Sequence, residues 1–250
     1  MTNTKVVWMI NVVIPMAGAG SRFSKAGYSK PKPFIDVAGK PMIVRALENL
    51  ALPDAHYILI ARREHMEAEA ELVREIEHKY QAAFVSIDGL TEGTACTVLY
   101  ARKLINNDTP LLIANSDQIV DFVAKDFVDD CFKRGLDGSI LVFKDLNCDP
   151  KWSFVRLGNN NLVAEVREKA PISDLATVGL YLYARGKDFI DATIEMILRQ
   201  DRVNNEYYTC PTYNYMIAGS KDIGVYEIPF ASMHGIGTPE DLQIYLKYLA

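Results

Sequence analysis

The chain has little cysteine, histidine or tryptophan: four, four and two among 250 residues. Cys96, Cys131, Cys148 and Cys210 lie far apart with no C-x-x-C pair. That excludes a disulfide-stapled scaffold or a zinc ribbon and fits reduced thiols in a cytoplasmic protein. The histidines show no metal-ligand spacing. No apolar run approaches the ~20 residues of a membrane span, so no membrane partner is expected. Basic charge is not in excess either. A net charge of −5 argues against nucleic acid as a partner, which calls for a basic face. Internal repeats, low-complexity segments and linkers are absent.

What remains is an ordinary globular composition, 49% hydrophobic and 24% charged. The length suffices for one sizeable core. The N-terminal VVWMINVVIPMAG resembles a signal h-region. Its nearest small-residue pattern is Ala17-Gly18-Ala19, and cutting there would destroy the loop described next. Met9 offers an alternative start that would leave residues 1–8 as a leader.

The richest stretch is Asn11 to Phe34. Val12, Val13 and Ile14 form a β-branched apolar run, a buried strand by length and type. It leads into Gly18-Ala19-Gly20-Ser21, where two glycines let main-chain N–H groups approach a large anion. Arg22 follows at once, then Lys30 and Lys32, spaced by Pro31 and Pro33. Guanidinium grips phosphate as a fork and ammonium as a movable point charge, so the set reads as a triphosphate cradle. Taken alone, it also fits a plain strand–turn–helix with solvated basic residues. A Rossmann dinucleotide loop would need a third glycine where Phe23 stands, and a helix where this chain has a proline-punctuated basic segment.

Strand and helix patterns alternate through the first half. Strands are expected at His56–Ala61, Ala82–Ile87 and Leu111–Ala114, and helices after Pro41, over Arg63–Tyr80 and over Thr94–Leu104. This alternation implies an α/β fold, a Rossmann-like, mostly parallel central sheet flanked by helices, with ligands at the carboxyl ends of its strands. From about residue 138 strands dominate: Ser139–Phe143, Trp152–Leu157, Leu162–Val166, Val178–Tyr183 and Ile223–Ile228. They predict a smaller mixed or antiparallel extension. Phe189–Leu198 reads as a helix, and Thr238-Pro239-Glu240-Asp241 opens another with a hydroxyl cap, a first-position proline and acids in the first turn.

Asp117, just past the fourth strand, is either an Asx-turn or cap residue or a Mg²⁺ ligand, since Mg²⁺ takes one or two carboxylates plus phosphate oxygens. Leu90-Thr91-Glu92-Gly93-Thr94-Ala95 is a turn between strand and helix, with Thr94 a possible cap. Asn205, Glu206, Tyr207, Tyr208 and Asn214 form a polar-aromatic cluster that packing alone would explain.

Gly18-x-Gly20-Ser21-Arg22 followed by Pro31-Lys32 resembles the signature of the sugar-nucleotide pyrophosphorylases, which usually carry threonine at the Ser21 position. The resemblance implies a GT-A-like fold in one unit over 1–250, with an NTP-binding half at about 9–135 and an acceptor-binding half at about 136–250. It implies a Mg²⁺-dependent nucleotidyltransferase that joins an NTP (CTP, UTP, dTTP or GTP) to a phosphorylated small molecule, releasing pyrophosphate. That acceptor would be a sugar 1-phosphate, or a phosphorylated amino alcohol or amino acid, feeding surface polysaccharide or glycoconjugate synthesis, and a homodimer is an assembly the resemblance allows. Arg22 and Lys32 would be catalytic. Ala17, Gly18, Ala19, Gly20, Ser21, Gly93 and Thr94 would bind the nucleotide. Glu165-Val166-Arg167-Glu168-Lys169-Ala170-Pro171 resembles the family's Glu-Lys-Pro segment with its proline one place late. Glu168 and Lys169 would then bind the acceptor, and Gly179 would leave room for it. Asp117 would hold the metal. The family's second metal-binding aspartate falls at Gly235 here, so that His234 stands in, one carboxylate suffices, or catalysis is lost. The rival readings are a nucleotide-sugar glycosyltransferase, which usually shows Asp-x-Asp where this chain has Asn115-Ser116-Asp117, and a non-catalytic nucleotide-binding regulator.

Overall fold

A computed structural model describes residues 9–249; the expectation about a start at Met9 concerns residues 1–8, outside those described. The centre is a nine-stranded sheet. Its main path runs Ala83–Ile87, Ala55–Arg62, Ile10–Pro15, Leu111–Ala114, Leu175–Tyr183, Gly138–Lys144 and Ile223–Glu227. All neighbours on this path are parallel except those of Leu175–Tyr183, which runs against both its partners. The antiparallel hairpin Ser153–Leu157 and Val163–Glu168 joins the sheet through the start of that reversed strand, at Ala176↔Phe154. The mostly parallel sheet with an antiparallel extension is thus as the sequence implies, and strands of both halves share it.

Alternation along the strands explains the two faces. Val12, Ile14, Leu59 and Leu112 enter one apolar cluster; Val13, Ile58, Ile60, Leu111 and Ile113 enter the other. Helices cover both, which is why these strands read as continuous apolar runs. Met42–Asn49, Ala70–Tyr80 and Ala124–Lys133 pack on the first cluster; Gly186–Leu198 and Thr212–Ala218 pack on the second. Each fully buried Val, Ile or Leu contributes about 1.5–3 kcal/mol over an exposed one.

Several boundaries differ from the expectation. The helix expected over Arg63–Tyr80 is two helices, Arg63–Ala68 and Ala70–Tyr80, separated at Glu69 (φ −121°, ψ 37°). The one expected over Thr94–Leu104 is a succession, Thr94–Val98, a 3₁₀ turn at Leu99–Ala101, then Arg102–Ile105. A third apolar cluster, including Phe23, Ile119, Ile236 and Leu242, fixes the last helix, Pro239–Leu249, beside the glycine loop and the short strand Gln118–Val120.

Candidate active site

The opening strand delivers its loop to the carboxyl edge of the sheet. Met16 N–H still donates to Ile60 O at 2.8 Å, so the parallel register outlasts the strand by one residue. Ala17 is buried, whereas Gly18 and Ala19 are exposed. Contrary to expectation, a helix does follow: Ser21–Lys25, a single short turn begun from Gly20. Phe23, at the place of the missing third glycine, anchors it by turning inward against Tyr28, ring centres 5.1 Å apart. Pro31 then starts a 3₁₀ turn, Lys32–Phe34, whose buried Phe34 returns the chain to the loop. A Cβ built on Gly20 would lie 3.2 Å from Lys32 Cβ, so loop and lysine are in contact.

These segments enclose a cavity of about 430 Å³. Ala17, Gly18, Ala19, Gly20, Lys32, Gly93, Thr94 and Asp117 line it, with Asn115, Ser116 and Glu206 among the other walls. Lys32 Nζ forms an ion pair with Asp117 Oδ2, both side chains about three-quarters buried. Ser21 and Arg22 are exposed and outside the lining. Lys30 does not join the cradle; it reaches Glu69 Oε2 at 3.3 Å.

The Gly93–Thr94 turn is locked from the far half of the chain. Tyr207 N–H donates to Glu92 O at 2.7 Å, and Ala95 N–H donates to Tyr207 O at 3.0 Å. Gly93 has φ +116°, and a Cβ there would stand 2.4 Å from Tyr207 O. Only glycine admits both the dihedral and the approach. Thr94 does not cap its helix. Its Oγ1 accepts from Thr209 N–H and Oγ1–H, each at 3.2 Å.

A second cavity of about 250 Å³ adjoins the first, and Pro15, Thr94 and Asn115 line both. Glu168, Gly179, Gln118, Trp152, Tyr181 and Tyr208 help line it. Ser153 Oγ–H donates to Glu168 Oε2. Burial raises the Glu168 carboxyl pKa, while that hydrogen bond and Lys169 pull the other way. Lys169 lies outside the lining: its Nζ donates to Tyr208 Oη at 2.5 Å and sits 4.4 Å from the ring centre. Tyr208 Oη–H in turn donates to Glu206, which faces the larger cavity. Asn214 serves the fold, exchanging two 2.9 Å hydrogen bonds with the Val166 backbone.

The space at Gly179 is filled from within. The reversed strand slips register between Thr177↔Val142 and Tyr181↔Ile140, and Gly179 in this bulge has φ +96°. A Cβ there would stand 2.1 Å from Asn115 Nδ2. Its missing side chain makes room for Asn115, and the same glycine helps line the second cavity.

His234 is not brought to Asp117. Its Nε2 lies 2.8 Å from Asp121 Oδ2 and its ring stacks on Tyr248, centres 4.5 Å apart. The strand pair sets His234 opposite Ile119 and Gly235 opposite Gln118. Among the described residues no group of three or more His, Cys, Asp or Glu could hold a metal ion. Two carboxylates line the larger cavity, Asp117 and Glu206, and Glu206 accepts from Tyr208; Asp117 would be the one to hold Mg²⁺, a hard ion content with one carboxylate when phosphate and water complete its shell. The donor set fits on those terms, with Lys32 now on the same oxygen.

A glycine-loop strand end, a carboxylate one strand over and two adjoining cavities set a candidate ligand site at the carboxyl edge of an α/β sheet, the usual place for a nucleotide in such folds. The family model described as "Nucleotidyl transferase" matches residues 11–211, and the chain belongs to that family. It is similar to the mannose-1-phosphate guanyltransferase of Aspergillus oryzae, 27% identical over 137 residues, which cover 54% of this chain and 38% of that protein. With the Drosophila melanogaster mannose-1-phosphate guanylyltransferase catalytic subunit beta it is 28% identical over 179 residues, 68% of this chain and 47% of that one. The chain thus spans half or less of the length of these relatives. Among solved structures, the nucleoside-diphosphate-sugar pyrophosphorylase of Vibrio cholerae RC9 superimposes with a TM-score of 0.78 at 27% identity, over 94% of this chain and 99% of that one.

Proposed function

We propose that this chain transfers a nucleotidyl group from an NTP to a sugar 1-phosphate, supplying an activated sugar for glycan assembly. An oxygen of the acceptor phosphate forms a bond to the α-phosphorus. The bond from that phosphorus to the bridging oxygen breaks, and pyrophosphate leaves with the electron pair. The acceptor brings its own nucleophile, so the protein's part is positioning and charge neutralisation. The observation that carries this reading is the pair of adjoining cavities with Lys32 and Asp117 in the wall of the larger one.

In this reading the amides of Gly18, Ala19 and Gly20 and the Arg22 side chain take the β- and γ-phosphates, and Lys32 leaves Asp117 for the α-phosphate. Asp117 is then free to hold Mg²⁺, which when bound offsets charge on the phosphates. The Gly93–Thr94 turn takes the base, and Glu168 and Lys169 take the acceptor. The relatives make GTP with mannose 1-phosphate the first pair to try. The test is pyrophosphate release from that pair with Mg²⁺, followed by the other NTPs and a panel of sugar 1-phosphates. Release from one pair supports the reading. Release of NDP from a nucleotide sugar, or nucleotide binding without turnover, overturns it.

A further inference from the structure

Three residues line both cavities: Pro15, Thr94 and Asn115. Pro15 has no side-chain donor. The Thr94 hydroxyl is engaged with Thr209. The Asn115 carboxamide, by contrast, makes no hydrogen bond to any of the described residues, and it is only half-buried. Its position is not left to chance. It sits in the notch at Gly179, where a Cβ would stand 2.1 Å from Nδ2 and 2.9 Å from Cγ. A bulge and a left-handed glycine in an otherwise regular strand make that notch. A polar group that is seated by the fold and unpartnered, at the one place where two substrate spaces meet, is placed for a ligand.

We propose that Asn115 is a catalytic residue, its carboxamide N–H donating to phosphate oxygen where the acceptor phosphate meets the α-phosphate. This rests on the nucleotidyl-transfer reading above. The chemistry suits the place. Both substrates arrive there as anions, and Asp117 is two residues away. A neutral donor binds phosphate oxygen without adding a second carboxylate to the repulsion and without a protonation state to manage. The contact tightens as charge crowds onto the α-phosphate during displacement, so its effect falls on turnover more than on ground-state binding. Gly179 then acts as a positioning residue, working through Asn115.

The test compares the full chain with Asn115→Ala, Asn115→Asp and Gly179→Ala. It measures pyrophosphate release on the pair found active for wild type, and NTP binding alone by calorimetry. Asn115→Ala is expected to lower kcat roughly 10- to 100-fold, the worth of one hydrogen bond to a charged group, with NTP affinity changed less than about threefold. Asn115→Asp keeps the shape that fills the notch and loses the donor, so it falls at least as far as alanine. Gly179→Ala displaces an intact Asn115 and gives a similar loss, and the Asn115→Ala/Gly179→Ala pair is no worse than either alone. Should Gly179→Ala fail to fold, the two Asn115 variants still decide. Wild-type kcat in Asn115→Ala, or full activity in Asn115→Asp, overturns the proposal while leaving nucleotidyl transfer standing. A wild-type protein that releases no pyrophosphate from any pair overturns both.

Discussion

Lys32 and Asp117, 85 positions apart in sequence, meet as an ion pair in the wall of the larger cavity. Each comes from a segment fixed by packing: Lys32 from the turn anchored by Phe34, Asp117 from the end of the Leu111–Ala114 strand. In the free protein each neutralises the other. A triphosphate offers Lys32 a stronger partner. Lys32→Ala should therefore slow pyrophosphate release by about 2–4 kcal/mol in transition-state free energy, as loss of a preorganised donor does elsewhere. Wild-type rates in that variant would remove Lys32 from the mechanism.

Gly93→Ala should damage both stability and nucleotide binding. The new Cβ meets the Tyr207 backbone, 2.4 Å from its oxygen and 2.6 Å from its nitrogen. Backbone cannot step aside as a flexible side chain can, and φ +116° strains alanine as well. A loss of at least about 2 kcal/mol is expected from urea unfolding. An unchanged midpoint would show that the 92–95 and 206–209 segments are not clamped together as described.

Gln118→Met should stabilise the protein. Gln118 is 8% exposed, and its Nε2 is buried with no hydrogen-bond partner among the described residues. Methionine keeps the volume and removes an unsatisfied donor, a gain of about 1 kcal/mol. A lower unfolding midpoint would mean that the amide has a partner in solution.

Glu168 gives a pH signature. Burial raises its folded pKa above the unfolded one. Between those two values the native state holds the proton more tightly than the unfolded chain does. Stability is therefore fully present below the ordinary glutamate range and declines as pH climbs through the folded value. Glu168→Gln cannot titrate and should lose this decline. The variant and wild type should converge in acid and separate in the variant's favour towards neutral pH, read from unfolding midpoints across pH. Parallel curves would refute it.

Much of the fold was legible because parallel strands buried on both faces leave unbroken apolar runs, as at Val12–Ile14 and Leu111–Ala114. The Ala124–Lys133 helix left a signal too: Ala124, Phe127, Val128 and Cys131 are all buried at helical spacing. Its acids and lysines diluted that pattern. The meeting of Lys32 with the glycine loop was readable because both fall in one short stretch of chain. The direction of Lys30 was not, since Glu69 lies 39 positions away. Nor could spacing show that Asn115 fills the place of a side chain at 179. That contact exists only once the reversed strand, paired regularly with the fourth, slips its register against Gly138–Lys144 on its other side. His234 stood next to the vacant aspartate position in sequence, but strand alternation turns it toward Asp121 and Tyr248.

The most direct test of the account is a crystal structure with an NTP and Mg²⁺ bound. It predicts the triphosphate against the Gly18–Gly20 amides, Lys32 withdrawn from Asp117 onto phosphate, and the base beside Gly93. A triphosphate bound elsewhere, with the Lys32–Asp117 pair intact, would contradict it.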